Sequence, residues 1–380
     1  MSFIQSAQTA VKQTERAVED IVRQLHKEPA LILFFSSTIH SFELLTQLFQ
    51  LKYPSAQIVG VTTTGEIGPD GFSEASLTAQ SYGKGFGRLQ AVLMDDISKY
   101  PIFYRADLIQ AAKSIGIQLT KKPAKKDGLA IVFPVGLKAG EEKMLSVVNS
   151  IFAYDGFSIF GGTAGDDAKF EATTVSVNGR MTTTGCAVVF MNPSMDFFIK
   201  KENIFQGTGK KMKITKADAE KRIVYEIDGK PATKVYANLI AVAERDLTKH
   251  WARYPLGRQF NHDFLIASPF QVREAGAIEF YCQVYEGAVI EVLEPKNPLL
   301  EMQKTITEFT NTFSELYGVL GCNCILRKLQ FQQENVVQSL NKELKALPNL
   351  CGFSSYGEQL NKSQLNQTML LLGFGKLRAE

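Results

Sequence analysis

The stretch AQIVGVTTTGEI, Ala56–Ile67, decides how the chain is to be read. Its first half is the continuous apolar run of a strand buried on both faces. Its second half gathers small hydroxyl residues, a glycine and an acid, the chemistry of a tight strand-end turn. The pattern returns as GFSSYGEQ at Gly352–Gln359 and, in weaker form, as FGGTAGDD at Phe160–Asp167. Outward from these copies lie further buried-strand runs, ALILFFSS from Ala30, GLAIVFPV from Gly128 and FSIFGG from Phe157. Between them stand segments of helical periodicity, SFELLTQLFQL, EEKMLSVVNSIF and PLLEMQKTITEFTNTFSELYG, the last stopped by Gly318. Asn178-Gly179 marks a hairpin.

Alternation after Phe205, in KMKITKAD and RIVYEIDG, changes the character of the chain. The expected fold is α/β (α+β), with two modules at residues 1–205 and 206–380, each a mixed sheet flanked by helices. The N-terminal MSFIQSAQTAVKQTERAVEDIVRQL reads as one amphipathic helix. GKGFG, Gly83–Gly87, reads as a hairpin connection, and residues 246–275 as irregular and aromatic, with WARYPLGRQF able to line a pocket.

A length of 380 residues exceeds one ordinary core, and a net charge of +3 gives no reason to expect nucleic acid or an anionic membrane as partner. The runs KKPAKK and KKMKITK are short enough to be solvated. No apolar run reaches the roughly 20 residues of a membrane span, and no signal peptide opens the chain, so a cytoplasmic location is expected. The five cysteines then read as free, buried thiols. Cys322 and Cys324 share a strand face, but no second close pair completes a zinc site, and no metal is expected.

Catalytic motifs are missing. GFSSYG has one residue too many for G-x-S-x-G, GKGFG is not a dinucleotide fingerprint, and no P-loop occurs. The reading is therefore non-enzymatic, with an enzyme acting on a small zwitterion through paired acids as an alternative. In open α/β sheets ligands bind beyond the carboxyl ends of strands. There the hydroxyls of Thr63, Thr64, Thr163 and Ser355, the glycines Gly65, Gly165 and Gly357, and the acids Glu66, Asp166, Asp167 and Glu358 suit a zwitterion. N–H and O–H groups take its carboxylate and an acid takes its ammonium. Arg327 adds a clamp on the carboxylate. The structural alternative is turn chemistry alone. Among the histidines, His40, His250 and His262 are candidate axial ligands for a non-covalent haem b, since no C-x-x-C-H occurs.

VGVTTTGEI, FGGTAGDD, EIDGKPATKVY, EGAVIEVLE, CNCILR, GFSSYGEQ and LNQTMLL stand in the order found in FIST proteins. The chain resembles that family from about Leu31 to Gly375. The resemblance implies N-terminal and C-terminal FIST modules and an intracellular sensory role with small ligands, amino acids in particular. It also implies, for one branch, haem and nitric oxide sensing alongside histidine kinases of two-component systems or cyclic-di-GMP enzymes. With Glu380 following the second module, signalling through a separate partner is expected.

Overall fold

Each apolar run forms the strand expected of it, and the strands assemble by one rule used three times. The computed structural model describes residues 2–123, 128–260 and 263–379. A unit begins with an outer strand. A leading strand, a helical segment and an inner strand parallel to the leading one follow. The strand-end turn, a short hairpin and a return strand beside the leading strand complete it.

In the first unit the outer strand is Ile4–Thr9, the leading strand Pro29–Ser36, the helix Phe42–Lys52 and the inner strand Gln57–Thr62. The hairpin is Glu66–Gly68 with Gly71–Ser73, and the return strand is Leu77–Gly83. The second unit repeats this with Gly87–Met94, Leu129–Pro134, helix Glu141–Ser150, Ser158–Gly162, hairpin Val175–Val177 with Arg180–Thr182, and Cys186–Pro193. The third uses Asp196–Asn203, Phe313–Cys324, helices Ile325–Gln333 and Val337–Leu344, and Leu350–Ser355. It ends with hairpin Glu358–Leu360 and Ser363–Leu365, then Thr368–Leu377.

No unit keeps its hairpin. The first hairpin pairs with the third inner strand, Gly352 opposite Ile67. The third pairs with the second, Glu358 opposite Gly162. The second pairs with the first, Val175 opposite Val61. Three mixed sheets thus close into a ring, and Phe35, Phe133 and Phe353, one from each unit, meet inside it. Phe35 and Phe353 stack at 4.9 Å between centroids, and Phe133 stands edge-on to both at 5.6 and 5.9 Å. Such pairs add about 1 kcal/mol each beyond area burial.

The chain leaves the third outer strand at Asn203 and enters a separate antiparallel sheet at Phe205. It returns at Pro295 to the helix Pro298–Asn311. This inserted sheet runs, in spatial order, Asp263–Ala267, Leu256–Phe260, Val289–Pro295, Phe205–Asp218, Ile223–Ile227, Ile278–Phe280 and Pro269–Val272. Its two edge strands are consecutive in sequence through Ser268, so the sheet curls into a barrel. The helix Ala232–Leu239 and Trp251 fill its core with Ile214, Val224 and Phe280.

The α/β character with mixed sheets is as the sequence implied. Four local readings change. The N-terminal helix starts at Thr14, because Ile4 and Ala7 are taken up as a strand against the return strand Leu77–Gly83. The long helix ends at Asn311 rather than at Gly318, and Phe313–Cys324 is one strand, so Arg327 lies in the first turn of a helix. GKGFG joins strands of two different sheets and is no hairpin. Within the stretch read as irregular, Leu256–Phe260, Asp263–Ala267 and Pro269–Val272 are barrel strands. Among the described residues no helix is long and apolar enough to cross a membrane.

Candidate functional site

The three strand-end turns meet on the axis of the ring. Thr64 N–H donates to the Ser354 carbonyl at 3.1 Å, Gly165 N–H to that of Thr62 at 2.9 Å, and Tyr356 N–H to that of Thr163 at 3.0 Å. These bonds equate Thr62, Thr163 and Ser354. Sequence matching aligned Asp166 with Glu66 and Glu358; the bonding pattern puts Asp167 there instead, one residue later.

Glu66 and Glu358 are held identically. Thr63 Oγ1 donates to one oxygen of Glu66, while Ser76 N–H and Oγ donate to the other at 3.1 and 2.6 Å. Ser355 Oγ donates to Glu358 at 2.6 Å, and Thr368 Oγ1 and N–H supply 2.8 and 3.3 Å bonds. Each acid therefore ties its own turn to its own return strand. Burial pushes both carboxyls up to about 7 against the pull of these donors.

The second unit differs. Asp167 accepts from Ser37 Oγ, Thr38 N–H and Thr38 Oγ1 of the first unit at 2.6–2.9 Å. Asp166 accepts from Tyr356 Oη and from the N–H groups of Phe170, Glu171 and Ala172. Those donors hold its carboxyl below the usual range against the opposing effect of burial. Gly65 and Gly357 sit at φ of 120° and 152°, where only glycine is comfortable, and a Cβ on Gly357 would lie 2.3 Å from Gln364 Nε2. Arg327 is fully buried in an ion pair with Glu202 and donates from Nε to Asn323 Oδ1 at 2.9 Å. The twelve residues that the sequence offers as a zwitterion site are thus brought together as a closed polar hub whose acids already have partners.

A second feature lies where the barrel faces the ring. Arg222 of the barrel bridges Glu141 and Glu142 at the start of the second unit's helix, at 2.7 and 2.5 Å. Gln283 N–H donates to Glu142 Oε1 at 3.0 Å. Beside this anchor is a cleft of about 250 Å³. Arg258, Leu265, Cys282, Tyr285 and Ile290 line its barrel side; Glu142 and Lys362–Gln364 line its ring side. Gln364 connects the cleft to the hub. Its Oε1 accepts from Gln359 Nε2 at 2.6 Å, and the same Nε2 reaches Thr163 Oγ1 at 2.8 Å. Gln364 Nε2 and Gln359 Oε1 are buried with no partner among the described residues.

Two family models match this architecture, FIST N domain over residues 30–230 and FIST C domain over 232–361. The chain belongs to the FIST family. It is also 23% identical to an uncharacterized protein, MJ1623, of Methanocaldococcus jannaschii, over 90% of this chain and 72% of that protein. FIST domains are associated with sensory signal-transduction proteins rather than with catalysis. In this FIST protein the two matched regions interlock: the hairpin 66–73 completes the sheet of the C-terminal region, and the hairpin 358–365 completes that of the N-terminal region.

Around His40 the surroundings are polar. Its Nδ1 lies 3.4 Å from Thr14 Oγ1, Lys12 and Asp167 act on it electrostatically, and burial, the largest effect, lowers its pKa. His250 is half-buried on a 3₁₀ turn of the barrel. The polar setting of His40 does not fit a haem, which needs an apolar slot for its macrocycle, and no chemistry is derived through one. His262 lies outside the described residues. All five cysteines are buried and unpaired, and no metal-holding cluster exists among the described residues. Sequence reasoning missed Arg258, Gln359 and Gln364. WARYPLGRQF pointed to the right region, but only the fold shows which of its side chains reaches a cavity.

Proposed function

We propose that this FIST protein is a sensory ligand-binding protein that takes up a small, amino-acid-like molecule and signals through a separate partner such as a histidine kinase. The observation that supports this reading is the contrast between a saturated hub and an open cleft at the junction of ring and barrel. Clefts between two bodies are where small molecules bind most readily. Bound material there biases how the bodies sit. The hub's acids are already paired with hydroxyl and N–H groups of the ring, which suits a rigid frame better than an acid–base pair.

A thermal-shift screen over amino acids and related metabolites tests the binding. Ligand at about 100 times its Kd stabilises the folded chain by about 2.7 kcal/mol. A screen with no shift sinks the reading. Small-angle scattering with and without a hit tests the coupling, since superimposable profiles exclude movement of the barrel.

A further inference from the structure

The charge inventory of the cleft goes beyond that reading, although its biological meaning rests on it. Three charged side chains line the cavity, Glu142, Arg258 and Lys362. Both oxygens of Glu142 are engaged, one by Arg222 and one by Gln283 N–H. Lys362 pairs with Asp155, but both side chains are largely exposed, at 62% and 87%, so the pair is weak and readily exchanged. Arg258, on the barrel strand Leu256–Phe260, has neither ion pair nor hydrogen bond among the described residues. The cleft therefore offers one guanidinium with no direct partner and one loosely held ammonium, while its one acid, which shares Arg222 with Glu141, is committed to holding the barrel.

The remaining wall is apolar, with Leu265, Ile266, Ala267, Val284 and Ile290 from the barrel. The floor is Gln364, about nine-tenths buried, whose amide Nε2 has no partner. A cleft of about 250 Å³ has room for a compact organic molecule. A guanidinium binds a carboxylate in two parallel bonds and is weakly hydrated, so it surrenders water at small cost.

We propose that the cleft is an anion site in which Arg258 receives the carboxylate of a small organic acid and the barrel wall receives its aliphatic body. An ammonium group on the ligand is not required, because Glu142 is not free to meet one.

The test is ligand-observed NMR on the full chain with 4-methylvalerate, its neutral counterpart 4-methylvaleramide, and inorganic phosphate. Wild type, R258A, R258K and the exposed control R245A are compared, with melting temperatures confirming that each is folded. Expected are binding of 4-methylvalerate, about tenfold weaker binding of the amide, about tenfold loss in R258A with partial recovery in R258K, and no change in R245A. Equal binding of acid and amide, undiminished binding by R258A, no binding of the acid at millimolar concentration, or tighter binding of phosphate each overturns the proposal. A hit from the amino-acid screen that binds R258A as it binds wild type removes the cleft assignment and leaves the sensory reading intact. A silent screen with Arg258-dependent binding of 4-methylvalerate does the reverse.

Discussion

Hairpin 66–73 lies beside helix Ile325–Gln333 much as hairpin 358–365 lies beside helix Glu141–Ser150, yet the two junctions are finished differently. At the first, Phe72, Glu74, Lys328, Phe331 and Gln332 line a groove of about 250 Å³. Its polar groups satisfy one another: Lys328 pairs with Glu74 and donates to the Thr64 carbonyl at 2.7 Å, and Gln332 donates to Glu74 at 2.8 Å. At the second, the barrel forms a roof, brings in an unpaired guanidinium, and leaves an amide on the floor without a partner. The third junction, between Phe42, Glu43 and Met181–Thr184, is an open groove with no roof. Three equivalent places in a repeated frame thus differ by one insertion, and the unsatisfied chemistry sits where the insertion lands.

The contrast is sharpest in the anchors. Replacing Arg222 by Met strips the counter-charge from one buried and one half-buried carboxylate, so urea unfolding of R222M is expected to show a loss of about 3–5 kcal/mol. A loss below about 1 kcal/mol means that the barrel is held by something else. Next in size is the pH response of the hub. With Glu66 and Glu358 raised from 4.5 to about 7, the folded state holds more protons than the unfolded state between those values. Their stabilisation is complete below about pH 4.5 and lost as pH rises through 7, by up to about 3 kcal/mol for each group. E66Q and E358Q should each flatten that decline in a stability-versus-pH series, and an unchanged slope refutes the assignment.

Gly357→Ala follows. It forces Gln364 aside and strains the turn by about 1–3 kcal/mol, and it disturbs the cleft floor, whereas Gly179→Ala, with open space around it, strains its turn without touching either site. Equal effects on ligand binding from both variants disconnect the floor from the hub. The smallest effect belongs to the satisfied groove. K328M is expected to cost about 1 kcal/mol or less, because Glu74 is more than half exposed.

Much of this frame was legible in the chain. Pro29–Ser36, Gln57–Thr62, Leu129–Pro134 and Ser158–Gly162 appear where continuous apolar runs stood, and Asn178-Gly179 turns a hairpin. Repetition of the strand-end turn also announced that distant segments share a place. What the periodicity could not carry is partnership. That Glu66 bonds Ser76, and that Arg327 meets Glu202, depends on which strands become neighbours. The start of the chain misled because Ile4 and Ala7 fit a helical stripe as well as a strand, and the neighbouring edge Leu77–Gly83 decided between them. Arg258 was one cation among many until the barrel curled it toward a cavity.

The exchange of hairpins has a consequence for how the molecule is made. Ile67 leaves the ribosome long before Gly352, the residue it must face, and the second unit's inner strand waits for Glu358. Pairings so remote in the chain are slow to form and leave strand edges bare during synthesis. Nascent chains of this design should therefore depend on chaperones until the last strand emerges. A fragment cut between the two family regions should aggregate rather than fold, because each piece carries an edge that only the other can cover.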